Sequence, residues 1–82
     1  MAQVIKVDGT TEEITDLSLK GMQEAVGGYI EMVSTPNGKV LIVDEEGKLK
    51  NKEVNLKATT IYGNPNDVIV GDCILADNNE IS

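Results

Sequence analysis

Tyr29-Ile30-Glu31-Met32-Val33-Ser34-Thr35-Pro36-Asn37-Gly38-Lys39-Val40-Leu41-Ile42-Val43-Asp44 is the stretch on which the fold turns. Its first six residues alternate in the manner of a strand, and Lys39 to Asp44 form a second run with a near-continuous apolar centre. Between them Thr35-Pro36-Asn37-Gly38 supplies turn chemistry: proline presets φ and glycine accepts the positive φ that closes a hairpin. The spacing therefore predicts an antiparallel hairpin over 29–44. Alternation places Tyr29, Glu31 and Val33 on one face of its first strand, with Ile30 and Met32 on the other.

Working outward toward the N-terminus, Gly27-Gly28 joins this hairpin to a preceding segment. Ser18 is an N-cap for a helix over 19–26 that places Leu19, Met22 and Val26 on one face, and Gly27 is its C-terminal stop. Gly21 weakens that helix by about 1 kcal/mol relative to alanine, which points to close packing against the sheet. Further upstream, residues 3–7 alternate as a strand, Asp8-Gly9-Thr10 forms a turn, and Glu12 to Thr15 extends a short hairpin. Downstream, Asn55 caps a second short helix over 55–62, which Gly63-Asn64-Pro65-Asn66 ends. A strand over 68–76 follows, with a bulge or bend at Gly71-Asp72 and a frayed tail from Asp77. The fold class is α+β: one domain over 1–82, a small antiparallel sheet and two helices.

An 82-residue chain buries roughly 60–65% of its unfolded surface, so its stability is marginal and self-association helps it. The core is aliphatic, because Tyr29 and Tyr62 are the only aromatic residues. One cysteine, Cys73, excludes an intrachain disulfide, and the N-terminus carries no basic-then-apolar leader. A cytoplasmic location is expected. No apolar run approaches the roughly 20 residues that span a bilayer, so no membrane partner is expected.

The net charge of −7, with no arginine, argues against DNA or RNA polymers as partners. Charge is uneven: Lys48, Lys50, Lys52 and Lys57 against Glu53 make the segment 48–57 net +3, which leaves −10 for the rest.

Catalytic chemistry is poorly supplied. With no histidine, the usual acid/base and imidazole ligand are missing, and Cys73 lies in an apolar strand without a cationic neighbour in sequence. Asp44-Glu45-Glu46 fails the spacing of a calcium loop and reads as a solvated turn, so no metal site is expected. Walker A, dinucleotide-fingerprint and nucleophile-elbow patterns are absent. The expectation is a protein that is not an enzyme and needs no cofactor.

A ligand site is nevertheless suggested where the lysine-rich segment meets the start of the second helix. Asn55, Lys57, Thr59 and Thr60 offer amide, ammonium and hydroxyl donors suited to phosphate. Tyr29 or Tyr62 can stack on a base, and Glu31 or Glu46 can accept hydrogen bonds from base amines or ribose hydroxyls. A small nucleotide fits this mixture better than a polymer does.

Four ordered segments carry a resemblance: Val26-Gly27-Gly28-Tyr29-Ile30-Glu31, then Asp44-Glu45-Glu46-Gly47-Lys48-Leu49, then Asn55 with Ala58-Thr59, then Val70-Gly71-Asp72. Together they resemble a small family of phage and mobile-element proteins classed as a domain of unknown function. Asp44 stands where that family often has asparagine, and Lys52-Glu53-Val54 where it commonly has a Leu-Pro pair. The resemblance extends to very small phage proteins that act as sponges, homodimers sequestering cyclic nucleotide messengers of bacterial immune systems such as CBASS and Thoeris. It implies binding of a cyclic dinucleotide or cyclic ADP-ribose-type signal without cleavage, in the host bacterial cytoplasm. Matched to this chain, it implies Tyr29 and Tyr62 as stacking residues, Lys48, Asn55 and Thr59 on phosphate, and Glu31 and Glu46 on base or ribose. The alternative, drawn from the acidic charge, is a protein-binding inhibitor or DNA mimic acting on a host defence protein.

Overall fold

In a computed structural model describing residues 2–81, the chain forms an antiparallel sheet of five strands with three helices. The elements are β1 (Gln3–Ile5), β2 (Thr11–Glu13), α1 (Leu19–Val26), β3 (Ile30–Ser34), β4 (Lys39–Asp44), α2 (Leu56–Tyr62), β5 (Cys73–Asp77) and α3 (Asn78–Ile81). Strand order is β2-β1-β5-β4-β3. The expected α+β class and the central hairpin are both present: β3 pairs with β4 from Ile30↔Asp44 to Ser34↔Val40.

Each face of the sheet has its own core. On one side Met22 and Val26 of α1 pack with Val4, Val40, Ile42 and Ile74. On the other, Ala58 of α2 and Ile69 pack with Ile5, Leu41, Val43 and Cys73. This explains the continuous apolar run in β4. Successive residues of a strand face opposite sides, and here both sides are covered, so all of Val40, Leu41, Ile42 and Val43 are buried. Fully burying such side chains is worth about 1.5–3 kcal/mol each.

Local chemistry sets α1 where the sequence predicts it. The Ser18 hydroxyl accepts from the Gly21 N–H at 3.1 Å, and Gly27, at φ 88°, closes the helix in the left-handed region with its N–H donating to the Gln23 carbonyl. Gly21 is buried for a different reason than the one expected. A methyl group there would stand 2.7 Å from the Asp16 carbonyl oxygen and 2.5 Å from its carboxyl carbon, so the close neighbour is the loop before α1 and not the sheet. Asp16 in turn accepts from the Ser18 N–H and hydroxyl. Gly21→Ala is therefore expected to lower stability by about 1–2 kcal/mol despite alanine's better helix propensity, since overpacking outweighs it. A urea midpoint that rises instead would show that Asp16 yields without cost.

The sheet departs from expectation at its margins. The first strand ends at Ile5 rather than residue 7, because Lys6 already belongs to the turn that leads to β2, its N–H donating to the Thr10 carbonyl. The last strand begins at Cys73 rather than Val68. Gly71 takes φ 77° and donates to the Glu53 carbonyl, so residues before it run beside Val54, to which Val70 is bridged, before the chain turns into β5. The tail expected to fray from Asp77 is ordered: Asp77 ends β5, opposite Lys39, and Asn78–Ile81 form α3, with Ile81 packed against the α1-side core; the end of that tail, residue 82, lies outside the described residues. No helix among the described residues is long and apolar enough to cross a membrane.

Candidate functional site

On the α2 face, a groove of about 140 Å³ lies between the sheet edge, the loop after β4 and the segment that precedes Gly71. Glu31 and Val33 of β3 form one wall; Val43 and Asp44 at the end of β4 with Glu45, Lys48 and Leu49 form a second; Tyr62 and residues 67–70 complete it. The alternation of β3 places Glu31 and Val33 on the same side of the strand. Tyr62 is brought in by the last turn of α2. Leu49 is among the most exposed apolar residues of the chain at 82%.

Three of the expected site residues, Glu31, Lys48 and Tyr62, therefore meet in one place. The others lie elsewhere or are occupied by the fold. Tyr29 is 67% exposed and precedes β3 without lining the groove. Glu46 is exposed, and its backbone N–H donates to the Asp44 carboxylate at 2.8 Å.

Asn55 and Thr59 are structural in this fold. Asn55 is fully buried; its amide donates to the carbonyls of Ile5 at 2.9 Å and Gly71 at 3.0 Å, while its side-chain oxygen accepts from the Ala58 N–H at 3.1 Å. Every hydrogen-bonding position that matters on this side chain is used. The Thr59 hydroxyl donates to the Asn55 carbonyl at 2.8 Å and accepts from the Ile69 N–H at 2.9 Å. The expected phosphate-binding helix end is thus directed into the protein.

The lysine-rich segment divides in the same way. Lys48 is ion-paired with Asp67 at the groove, and that pairing, with the Val68 N–H, holds the Asp67 carboxyl below its usual range. Lys50 and Lys52 turn to the opposite, α1 side of the sheet. There they meet Asp44 at 3.0 and 2.6 Å, and Lys52 also donates to the Val26 carbonyl at 2.9 Å. Cations at the carbonyl end of a helix complement its dipole. Gly28 makes room for this cluster, since a methyl group there would stand 2.9 Å from the Asp44 carboxylate.

Asp44 corrects the expectation of a solvated turn at 44–46: its side chain is 0% exposed. Burial pushes its pKa up, but hydrogen bonds from Lys52, the Glu46 N–H and Lys50 outweigh burial and hold it at about 2. The signal was available in the alternation of β4, where Asp44 falls on the same face as Val40 and Ile42. The contribution of Asp67 and of residues 68–70 to the groove was not legible in the same way, because it depends on the turn at Gly71.

The groove's ionisable lining is acidic. Glu31 and Glu45 have no cationic partner in the lining other than Lys48, which Asp67 already engages. Such a surface suits hydrogen-bond donors and cations better than bare phosphate. Among the described residues no group of three or more acidic, histidine or cysteine side chains could hold a metal ion. The Cys73 thiol, buried on the α2 side, is pushed up to about 12 by burial and by the Asp72 charge, far from a reactive thiolate.

A small two-core α+β domain with an acidic, partly apolar groove is the class that fold and site define. The chain belongs to the DUF3846 family, a domain of unknown function whose model matches residues 1–82. No curated protein and no solved structure matches it.

Proposed function

We propose that the chain is a non-catalytic sponge that binds a cyclic nucleotide signal and keeps it from its receptor, with a base of the ligand seated in the groove. The observation that carries this reading is the convergence of Glu31, Lys48 and Tyr62, from three separate segments, on one groove. Tyr62 offers a ring for stacking, and Glu31 and Glu45 accept from base amines or ribose hydroxyls. At about 140 Å³ the groove is well below the roughly 300–1,000 Å³ of pockets that enclose a whole drug-sized ligand. It takes one ring system, not a complete dinucleotide.

This reading revises the division of labour. With Asn55, Thr59, Lys50 and Lys52 committed to the fold, the phosphates lie outside the acidic groove, and Lys48 reaches them only by leaving Asp67. The protein acts by mass action as a homodimer in the bacterial cytoplasm, with no cofactor and no bond broken.

Isothermal titration with a panel of cyclic dinucleotides and cyclic ADP-ribose-type compounds tests this. One member is expected to bind and to be recovered intact after heat release, with Tyr62→Ala and Glu31→Gln each weakening it about tenfold or more; the exposed Glu31→Gln does so at unchanged melting temperature, whereas Tyr62→Ala also loses packing against the α2-side core. Absence of binding across the panel would sink the proposal.

A second reading rests on the same acidity. Exposed Glu12 and Glu13 on β2, together with Glu31 and Glu45 at the groove, suit a basic host protein, with the chain as an inhibitor or DNA mimic. Salt-sensitive capture of one basic protein, with no nucleotide bound, is the result that favours it.

A further inference from the structure

The two edges of the sheet are built differently. β2 is three residues long, Thr11–Glu13, entirely exposed and two-thirds glutamate, which blunts it against pairing with another strand. β3, at the other edge, is five residues long and carries Ile30, Met32 and Val33. It has neither a lysine nor a proline to guard it.

The direction of its backbone groups follows from the hairpin. The Glu45 N–H donates to the Tyr29 carbonyl at 2.9 Å and the Thr35 N–H to the Lys39 carbonyl at 3.0 Å, and both pairs extend the register of β3 against β4. Hydrogen-bonded pairs alternate along an antiparallel ladder. Tyr29, Glu31, Val33 and Thr35 therefore turn their amides and carbonyls toward β4, and Ile30, Met32 and Ser34 turn theirs to the free edge.

We propose that β3 pairs antiparallel with β3 of a second copy about a two-fold axis at Met32, joining two five-stranded sheets into one. Only this register uses every outward group. Met32 exchanges two hydrogen bonds with Met32 of the other copy, and Ile30 and Ser34 exchange two at each end, six in all. Centring on Val33 instead sets Ile30 opposite Pro36, which has no N–H to give. Centring on Glu31 sets that carboxylate directly opposite itself, a destabilising like-charge pair. At the Met32 register Glu31 of each copy faces Val33 of the other, and the half-exposed Met32 side chains meet across the axis.

The pairing also changes the groove. Glu31 and Val33 line it, so the two grooves meet on one side of the joined sheet. Resting on the nucleotide reading above, this makes the ligand a molecule with two bases, one for each groove, bound once per dimer.

Analytical ultracentrifugation of the full chain at micromolar concentration is expected to give twice the 8.8 kDa chain mass. Met32→Pro removes an outward N–H without touching the β4 ladder, and Met32→Lys places two cations at the axis; each is expected to halve the mass. Glu13→Lys, on the other edge, is expected to leave it unchanged. Hydrogen exchange on the unmodified protein gives a readout independent of folding in the variants: the amides of Ile30, Met32 and Ser34 are expected to be protected in the dimer and to lose protection on dilution. A monomeric wild-type protein, a dimer indifferent to Met32→Lys, or freely exchanging amides at these three positions overturns the pairing. Titration separates the two readings. A dimer that binds no nucleotide leaves the interface standing and removes the ligand, whereas a monomer that binds one ligand per chain does the reverse.

Discussion

Asn55→Ala is expected to bring the chain to the margin of unfolding at room temperature. Asn55 ends no exposed turn; it is fully buried where three segments meet. Its amide satisfies the Ile5 carbonyl at the end of β1 and the Gly71 carbonyl before β5, and its oxygen caps α2 through the Ala58 N–H. Truncation removes a helix cap, worth about 0.5–2 kcal/mol. It also takes the amide from two buried carbonyls: that of Ile5 keeps its place opposite Cys73 in the β1–β5 ladder and loses a net contribution of about 0.5–1.5 kcal/mol, whereas that of Gly71 is left unpaired at a cost of about 1–3 kcal/mol. A combined loss of about 2–6.5 kcal/mol is comparable to the stability of a domain this small, near the lower end of the usual 5–15 kcal/mol. Asn55→Asp separates the two parts of the role: it keeps the cap acceptor, loses both donors and buries a charge, so it is expected to be at least as damaging. Urea titration followed by circular dichroism measures both variants. A loss of less than about 1 kcal/mol in Asn55→Ala would mean that water replaces the amide, and the structural assignment fails.

Acid is expected to weaken the protein through Asp44. Its carboxyl ionises at about 2 in the folded chain against 3.8 in the unfolded one. A depressed pKa contributes stability that is complete above the unfolded value and is lost as pH falls through the folded value. The window is therefore about pH 4 down to pH 2, and the contribution is about 2 kcal/mol. Asp44→Asn is expected to cost about 2–3 kcal/mol at neutral pH and to flatten this acid limb. The cost stays below that of a fully buried broken pair because Lys50 and Lys52, 41% and 23% exposed, can turn to water. Melting temperatures of both proteins across pH 2–7 decide the matter. An unchanged acid limb in the variant would place the acid sensitivity elsewhere.

The parts of the fold legible in the sequence are those set by neighbours along the chain. Ser18 and Gly27 bracket α1 as their capping chemistry requires, and Pro36-Asn37-Gly38 closes the central hairpin. Asn55 shows both sides of the limit. Its role as a cap is local and readable, but its amide donates to carbonyls 50 and 16 residues away, which no window of sequence contains. The expectation that it holds phosphate follows from exactly the donors that the fold consumes. Likewise, a run of alternating lysines looks uniform on paper, yet Lys48 faces one side of the sheet and Lys50 and Lys52 the other. The groove was half legible for the same reason: Glu31, Lys48 and Tyr62 announce themselves by type, whereas Asp67 and Val68 arrive through a backbone turn at Gly71.

The sheet is covered on both faces, and the two cores share the same strands, β4 and β5. Val40 and Ile42 serve one core while Leu41 and Val43 serve the other. Neither layer can peel away without exposing the reverse side of strands on which the remaining layer rests. The chain therefore has two packing interiors but a single cooperative unit of unfolding, and damage beneath α1 is felt as lost order beneath α2, on the side where the groove lies.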